Sequence, residues 1–214
     1  MRLKIKPIGI ILIACALLFG CTAGDLDVFE KEKTEEAPSP AIENAENLDG
    51  WHRVDVLGID YYASNKWAEE VSRQDPNWKT VNYPLSNGQY YTISVDEYDT
   101  SQEDLDSIAA NTAEELELVY YEADKLLKNY QIQVEDWSNG EYDGKMISYC
   151  TKYYKDYYSG YLEGYKDIIQ NDTSYGKILI LLSEGKTYEF RITAYRDVED
   201  AFGTFDKLTA SIGK

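Results

Sequence analysis

Residues 101–130 read SQEDLDSIAANTAEELELVYYEADKLLKNY, and they decide the fold. Leu105, Ile108, Thr112, Leu116, Val119, Ala123, Leu126 and Tyr130 recur at steps of three and four, which gathers them on one side of a helix. Ser101-Gln102-Glu103-Asp104 has the form of a capping box with Asp in place of Glu. The spacing therefore predicts a long amphipathic helix over about 101–129, with its acidic side in solvent. A helix with a single apolar stripe must bury it against another element. The flanking sequence supplies strands for that purpose.

Before the helix, Val54 to Ala63 is rich in Val, Leu, Ile and Tyr and reads as a strand. Trp67 to Arg73 is expected to form a short helical turn before Asp75-Pro76 breaks it. Val81–Pro84 and Gln89–Val95 flank Ser86-Asn87-Gly88, a hairpin signal because Asn-Gly supplies positive φ. After the helix, Gln131 to Trp137 is a strand and Ser138-Asn139-Gly140 a turn. Lys145 to Tyr154 follows as a strand. Lys177–Leu182 and Thr187–Tyr195 form a hairpin across Ser183-Glu184-Gly185-Lys186. Ile178 to Leu182 is continuously apolar, as expected of a central strand with a helix on one face. Val198 to Ile212 closes the chain as a helix with Phe202, Phe205, Leu208 and Ile212 on one stripe. Strands, long helix, strands, final helix: the fold class is α+β, an antiparallel β-sheet with a long helix and a C-terminal helix packed on it.

The 214 residues contain 21 Lys and Arg against 39 Asp and Glu, a formal net charge of −18. That balance argues against nucleic acid, whose phosphates require cationic contacts, and against a polybasic membrane patch. Apolar residues make up 43% of the chain, enough for a core, and there is no internal repeat.

Residues 1–20 have the form of a lipoprotein signal peptide. Arg2, Lys4 and Lys6 make a positive start, and Ile8 to Gly20 is an uncharged apolar run. As a helix that run rises about 20 Å, less than a bilayer core of roughly 30 Å. It ends in Leu18-Phe19-Gly20-Cys21, which resembles the lipobox of bacterial lipoproteins. In those proteins the Cys is acylated and becomes the mature N-terminus, so Cys21 is the expected lipidation site. Leu12-Ile13-Ala14-Cys15 also fits, but it leaves only Ile8 to Ala14 as the apolar run. The alternatives are an uncleaved N-terminal anchor and an ordinary secretory signal. Residues 21–50 then read as the lipid anchor and an acidic disordered tether, with Pro38 and Pro40 in its middle. The folded domain is expected over 51–214, as a monomer on the extracytoplasmic face of a bacterial cell membrane. With Cys21 acylated after cleavage, only Cys150 remains as a free thiol, which excludes an intrachain disulfide. A lone Cys in an alternating segment reads as a small buried hydrophobe rather than a nucleophile.

Several features carry a family resemblance. Tyr61-Tyr62 and Trp67 open the domain, and a charged strand ends before the helix led by Ser101. Asp143-Gly144-Lys145 enters a strand, and Gly185-Lys186-Thr187-Tyr188-Glu189-Phe190 forms the late hairpin. The chain closes on Phe202, Phe205 and Ser211-Ile212. This order resembles the PsbP-like family, which includes bacterial lipoproteins of the DcrB and LpqN type, over most of 54–212. The resemblance implies an α/β/α-like sandwich around an antiparallel sheet, with accessory, scaffold or binding roles rather than shared catalysis. The matching positions are turn and core positions, so no functional residue is carried over.

The residues themselves give little chemistry. His52 is the only histidine and stands where the tether meets the domain, a poor place to hold a general base. With His52 and Cys150 alone, a His/Cys zinc site is excluded by count. No Gly-rich phosphate loop is present, so no cofactor is expected. Asp96-Glu97-Asp99 and Asp197-Glu199-Asp200 have the residue types for a hard cation but no EF-hand spacing; helix-start and solubility charges explain them more simply. Tyrosine is the unusual residue: Tyr149, Tyr153, Tyr154, Tyr157, Tyr158, Tyr161 and Tyr165 fall in one short stretch, and 20 occur in all. Their four-residue spacing suggests a helix, but Gly160 and Gly164 oppose it. They read instead as a strand end and a Tyr-lined loop. These rings either cover the sheet or, through Tyr153, Tyr154, Tyr157, Tyr158, Tyr161 and Tyr165, form a recognition patch for a protein or sugar.

Three functions follow, in order. The first is a non-catalytic accessory or interaction domain at the cell envelope. The second is a glycan or cell-wall-binding module, which an exposed coplanar pair of Tyr or Trp rings would favour. The third is a small carboxylate-dependent hydrolase, which two opposed buried carboxylates in a cleft would favour.

Overall fold

The computed structural model describes residues 49–75, 77–85, 89–100, 104–122, 127–153 and 172–214. Seven antiparallel strands form one sheet in the order β3-β4-β5-β9-β8-β7-β6. They are β3 (Glu70–Asp75), β4 (Trp78–Tyr83), β5 (Tyr91–Asp99), β6 (Leu127–Ser138), β7 (Asp143–Tyr153), β8 (Thr173–Ser183) and β9 (Lys186–Ala194). Two short strands, β1 (Trp51–Val54) and β2 (Tyr61–Ser64), pair separately as a hairpin. Helix α1 (Leu105–Glu122) lies over β6, β7 and β8, and helix α2 (Val198–Ala210) lies on the opposite face against β9 and β2. The α+β reading is the observed fold.

The β8–β9 hairpin organises these layers. Glu184 and Gly185 both have positive φ, 50° and 76°, which places a two-residue turn of the twist-matched kind between Ser183 and Lys186. Alternation then divides β8 between the layers. Ile178 and Ile180 join Ala109, Leu116, Ile147 and Tyr149 beneath α1. Leu179 and Leu181 join Phe190, Ile192, Phe202, Phe205, Leu208 and Ile212 beneath α2. The apolar run is thus covered on both faces, not on one, which is why it does not alternate. Cys150 is a buried member of the α2-side core.

Four local expectations are corrected. The stretch Val54 to Ala63 is two strands with a turn, because Gly58 passes directly over the Tyr188 hydroxyl and a Cβ there would collide with it. The Gly58 amide donates to Glu97 Oε2 at 2.5 Å and pins the turn to β5. Glu70 to Asp75 is a strand rather than a helical turn, since pairing with β4 supplies its backbone partners. The helix is capped by Asp104 itself: Ser107 N–H donates to Asp104 Oδ1 at 2.8 Å, and Ile108 N–H to the Asp104 carbonyl at 3.1 Å. Ser101 to Glu103, Ala123 and Leu126 lie outside the described residues. Finally, Tyr130 belongs to β6, which begins at Leu127, and not to the helix. There Leu127 pairs with Tyr153, and the Asn129 side chain donates to the Leu116 carbonyl at 3.0 Å. Strand pairing therefore overrides a helical spacing that Tyr130 fits by coincidence.

The hairpin β1–β2 extends the α2 layer. Tyr62 N–H donates to Ser211 Oγ at 2.9 Å, and Gly213 N–H to the Asp60 carbonyl at 2.9 Å. Ending the chain after Asp197 should therefore abolish cooperative unfolding in urea, because the core loses Phe202, Phe205, Leu208 and Ile212 together. The single change Phe205→Ala should cost about 3–5 kcal/mol. An unchanged urea midpoint in either variant would contradict this layer assignment.

Candidate functional site

Most of the sites expected from sequence fall outside the described residues. Cys21, Tyr154, Tyr157, Tyr158, Tyr161 and Tyr165 are among these, as is Ser86-Asn87-Gly88. Tyr153 is described, at the end of β7 opposite Leu127, and is 1% exposed, so it is a core residue. His52 is not on a loose boundary. It lies in β1, with Nδ1 at 2.9 Å from Asn65 Oδ1 and Nε2 at 3.4 Å from Glu69 Oε2. Glu69 also accepts from Tyr83, whose hydroxyl lies 3.0 Å from that of Tyr61. The chain His52–Glu69–Tyr83–Tyr61 fastens the domain's first strand to its core, beside Trp51 and Trp67 packed edge to face. Its ring nitrogens face an amide and a carboxylate, not a hydroxyl or thiol nucleophile.

The acidic group Asp96-Glu97-Asp99 is divided by the pleat. Glu97 faces the α2 side, where it accepts from Gly58 and lies 3.7 Å from Lys79 Nζ and 3.9 Å from Lys186 Nζ. Asp99 is paired with Lys186 at the strand end. Asp96 alone faces the α1 side. At the start of α2, Asp197 adopts φ 51° without a side-chain cap, and Glu199 and Asp200 sit in the first turn where the helix dipole favours acids. Among the described residues no three His, Cys, Asp or Glu side chains are grouped to hold a metal.

On the α1 side, β4, β5 and β9 bring together a polar and aromatic cluster. Asp96 Oδ1 accepts from Thr80 Oγ1 at 2.6 Å and from Trp78 Nε1 at 3.1 Å. Asp96 and Glu189 are direct cross-strand partners, which sets their Cβ atoms about 5 Å apart. Glu189 Oε2 accepts from Arg191 Nε at 2.9 Å and from Arg191 Nη2, and Oε1 accepts from the Tyr98 hydroxyl. Tyr149 lies across Gly176, where any Cβ would meet its ring, and bonds to Thr193. Burial raises the Asp96 carboxyl above the ordinary range, with Thr80, Arg191 and Trp78 opposing the rise. Burial works against the Arg191 charge as well, but Glu189 outweighs it and holds the guanidinium protonated. Glu115 on α1 is also raised, first by partial burial and then by the charge of Glu189.

Asp96 and Glu189 stand side by side on one face rather than on opposed walls, and Glu189 already accepts three hydrogen bonds from Arg191 and Tyr98. The nearest aromatic pair, Trp78 and Tyr98, has ring centroids 6.0 Å apart but is tilted by 55°, so it is not a flat sugar platform. Sequence reading missed Trp78, Tyr98, Glu189 and Arg191. The available signal was Glu189 and Arg191 two apart in Tyr188-Glu189-Phe190-Arg191-Ile192, which puts two charges on one face of an otherwise apolar strand.

No family model matches the chain, and no curated protein matches it by sequence. Solved structures do share its fold. The solution structure of PsbP (CyanoP) from the cyanobacterium Synechocystis sp. PCC 6803 superposes with a TM-score of 0.56 at 12% identity, covering 79% of this chain and 95% of that one. A weaker likeness is to the Ran-binding protein Mog1p of Saccharomyces cerevisiae, TM-score 0.44 at 11% identity, covering 76% and 94%. The domain therefore has a PsbP-like fold.

Because burial raises the folded-state value of Asp96, this group contributes stability that is present in acid and lost as pH rises through that value. Asp96→Asn keeps an acceptor for Thr80 and Trp78 and removes the titration. It should match or exceed wild-type stability at neutral pH and fall behind wild type below the carboxylate range. Asp96→Ala should lose about 1–3 kcal/mol by leaving two donors unpaired. Urea melts across pH check both; a wild-type advantage over Asn that grows with pH would contradict the assignment.

Proposed function

We propose that this is a lipid-anchored protein of the bacterial cell envelope whose extracytoplasmic PsbP-like domain binds another envelope protein and performs no chemistry of its own. One observation carries the non-catalytic part: the half-buried and buried carboxylates Asp96, Glu97 and Glu189 all accept from donors of the domain itself. A catalytic pair needs a carboxyl left to the substrate and a second one poised across from it. The location rests on the Cys21 lipobox and the acidic tether, read from sequence. Among the described residues no helix is long and apolar enough to cross a membrane. Fold likeness supports the accessory reading only as analogy. Recognition through Tyr154, Tyr157, Tyr158, Tyr161 and Tyr165 stays a proposal from composition, with Tyr153 removed from the group.

Two measurements test this. Metabolic lipid labelling should be lost in Cys21→Ala and kept in Cys15→Ala; acyl chains found by mass spectrometry on Cys15 would contradict the site. Crosslinking and pull-down from native membranes should recover one protein with the wild type. Tyr154→Ser, Tyr158→Ser and Tyr161→Ser together should abolish that recovery at unchanged stability. Full recovery by the triple variant would remove the tyrosines from recognition.

A further inference from the structure

Strand β6 ends the sheet on its side and pairs with β7 alone among the described strands. A one-residue bulge between Tyr130 and Gln133, with Gln131 at φ 54°, separates its buried start from a regular outer half. In that half Gln133 to Ser138 face Ser148 to Asp143 of β7 in unbroken register. Gln133, Val134, Glu135, Asp136 and Ser138 are exposed. Val134 is 44% exposed and the Asp136 side chain 90%. An edge strand turns half of its backbone donors and acceptors away from its one neighbour, where they template a further strand. Exposed charge at this edge is predominantly acidic. Asp106, Glu135, Asp136, Glu141 and Asp143 are exposed around it. The nearby cation, Lys145, is only 19% exposed and is shared between Asp106 at 2.5 Å and Asp136 at 2.6 Å.

We infer that Gln133 to Ser138 is a docking edge that takes an extended, basic segment of a partner protein by strand addition. The inference rests on the reading of this domain as an interaction module and names the chemistry of one partner segment. Backbone hydrogen bonds would hold the added strand, and its Lys or Arg side chains would lie along Asp136 on the α1 face and Glu135 on the other. Val134 offers an apolar cross-strand contact at an alternate position. A second copy of this chain does not fit, because pairing two such edges brings carboxylates against carboxylates. The same acids also protect an edge from aggregation, a role that involves no ligand. Binding experiments separate the two roles.

The full chain is titrated with a synthetic peptide repeating Lys-Lys-Val-Val, which carries Lys on both faces, and with a peptide of equal charge carrying Pro in place of every Val. Pro cannot donate to a ladder, so the second peptide keeps the charge and loses the strand. The Lys–Val peptide should bind, weaken with added salt, and slow amide exchange at residues 133–138. The Pro peptide should bind about tenfold more weakly or worse, as should the Lys–Val peptide to the Glu135→Gln, Asp136→Asn variant. That double change leaves Lys145 its Asp106 partner and should not alter the melt. Equal binding of the two peptides, protection confined to other residues, or full affinity in the double variant would each overturn the inference. Membrane pull-down and lipid labelling report on the envelope role separately, so either proposal can fail while the other stands.

Discussion

Everything in this domain depends on burying both faces of β8. Ile178, Leu179, Ile180 and Leu181 are all fully buried, and each such side chain contributes about 1.5–3 kcal/mol when removed from water. A strand with alternate side chains on opposite faces cannot do this with one layer. The chain therefore needs cover above and below. Helix α1 provides the first by carrying the chain from β5 to the far edge at β6, across β8 and β7. Helix α2 provides the second but is short. Its 13 residues rise about 20 Å, while seven strands span roughly 29 Å. The β1–β2 hairpin fills the remainder, held by Tyr62 to Ser211 and by Gly213 to Asp60.

The polar cluster follows from the same geometry. Beside the apolar floor under α1, β9 carries Glu189 and Arg191 on the α1 side and Tyr188, Phe190 and Ile192 on the other. A buried ion pair of this kind adds little net stability, yet removing one member leaves an uncompensated charge. Tyr98 and Arg191 on Glu189, and Trp78 and Thr80 on Asp96, meet that requirement with donors from three strands. The result is a hydrogen-bonded face on which burial raises the Asp96 carboxyl above its ordinary range. Such perturbation accompanies function, though structural networks produce it as well.

How much of this was legible depends on the range of the interaction. The β8–β9 turn, the β7 alternation, the α2 stripe and the body of α1 are short-range patterns, and the sequence displays them directly. The split between β1 and β2 was hidden because it depends on Tyr188 and Glu97 meeting Gly58 from distant strands. The β6 bulge was hidden too. It reverses the strand's parity, so that Asn129 and Asp136, seven residues apart, both serve the α1 side. The site was the least legible part. Asp96 and Glu189 are neighbours only through the β5–β9 register, and nothing near either one in sequence announces the other.

Native-state amide exchange tests most directly the claim that both layers stand or fall with β8. Amides of Ile178 to Leu181 and of Phe190 to Ile192 should exchange only through global unfolding. Leu116→Ala on the buried side of α1 and Phe205→Ala on the buried side of α2 should each lower their protection by the full loss of stability measured in urea. If Phe205→Ala instead frees only α2 and the hairpin, and the β8 amides keep wild-type protection, the two layers are independent and the account is wrong.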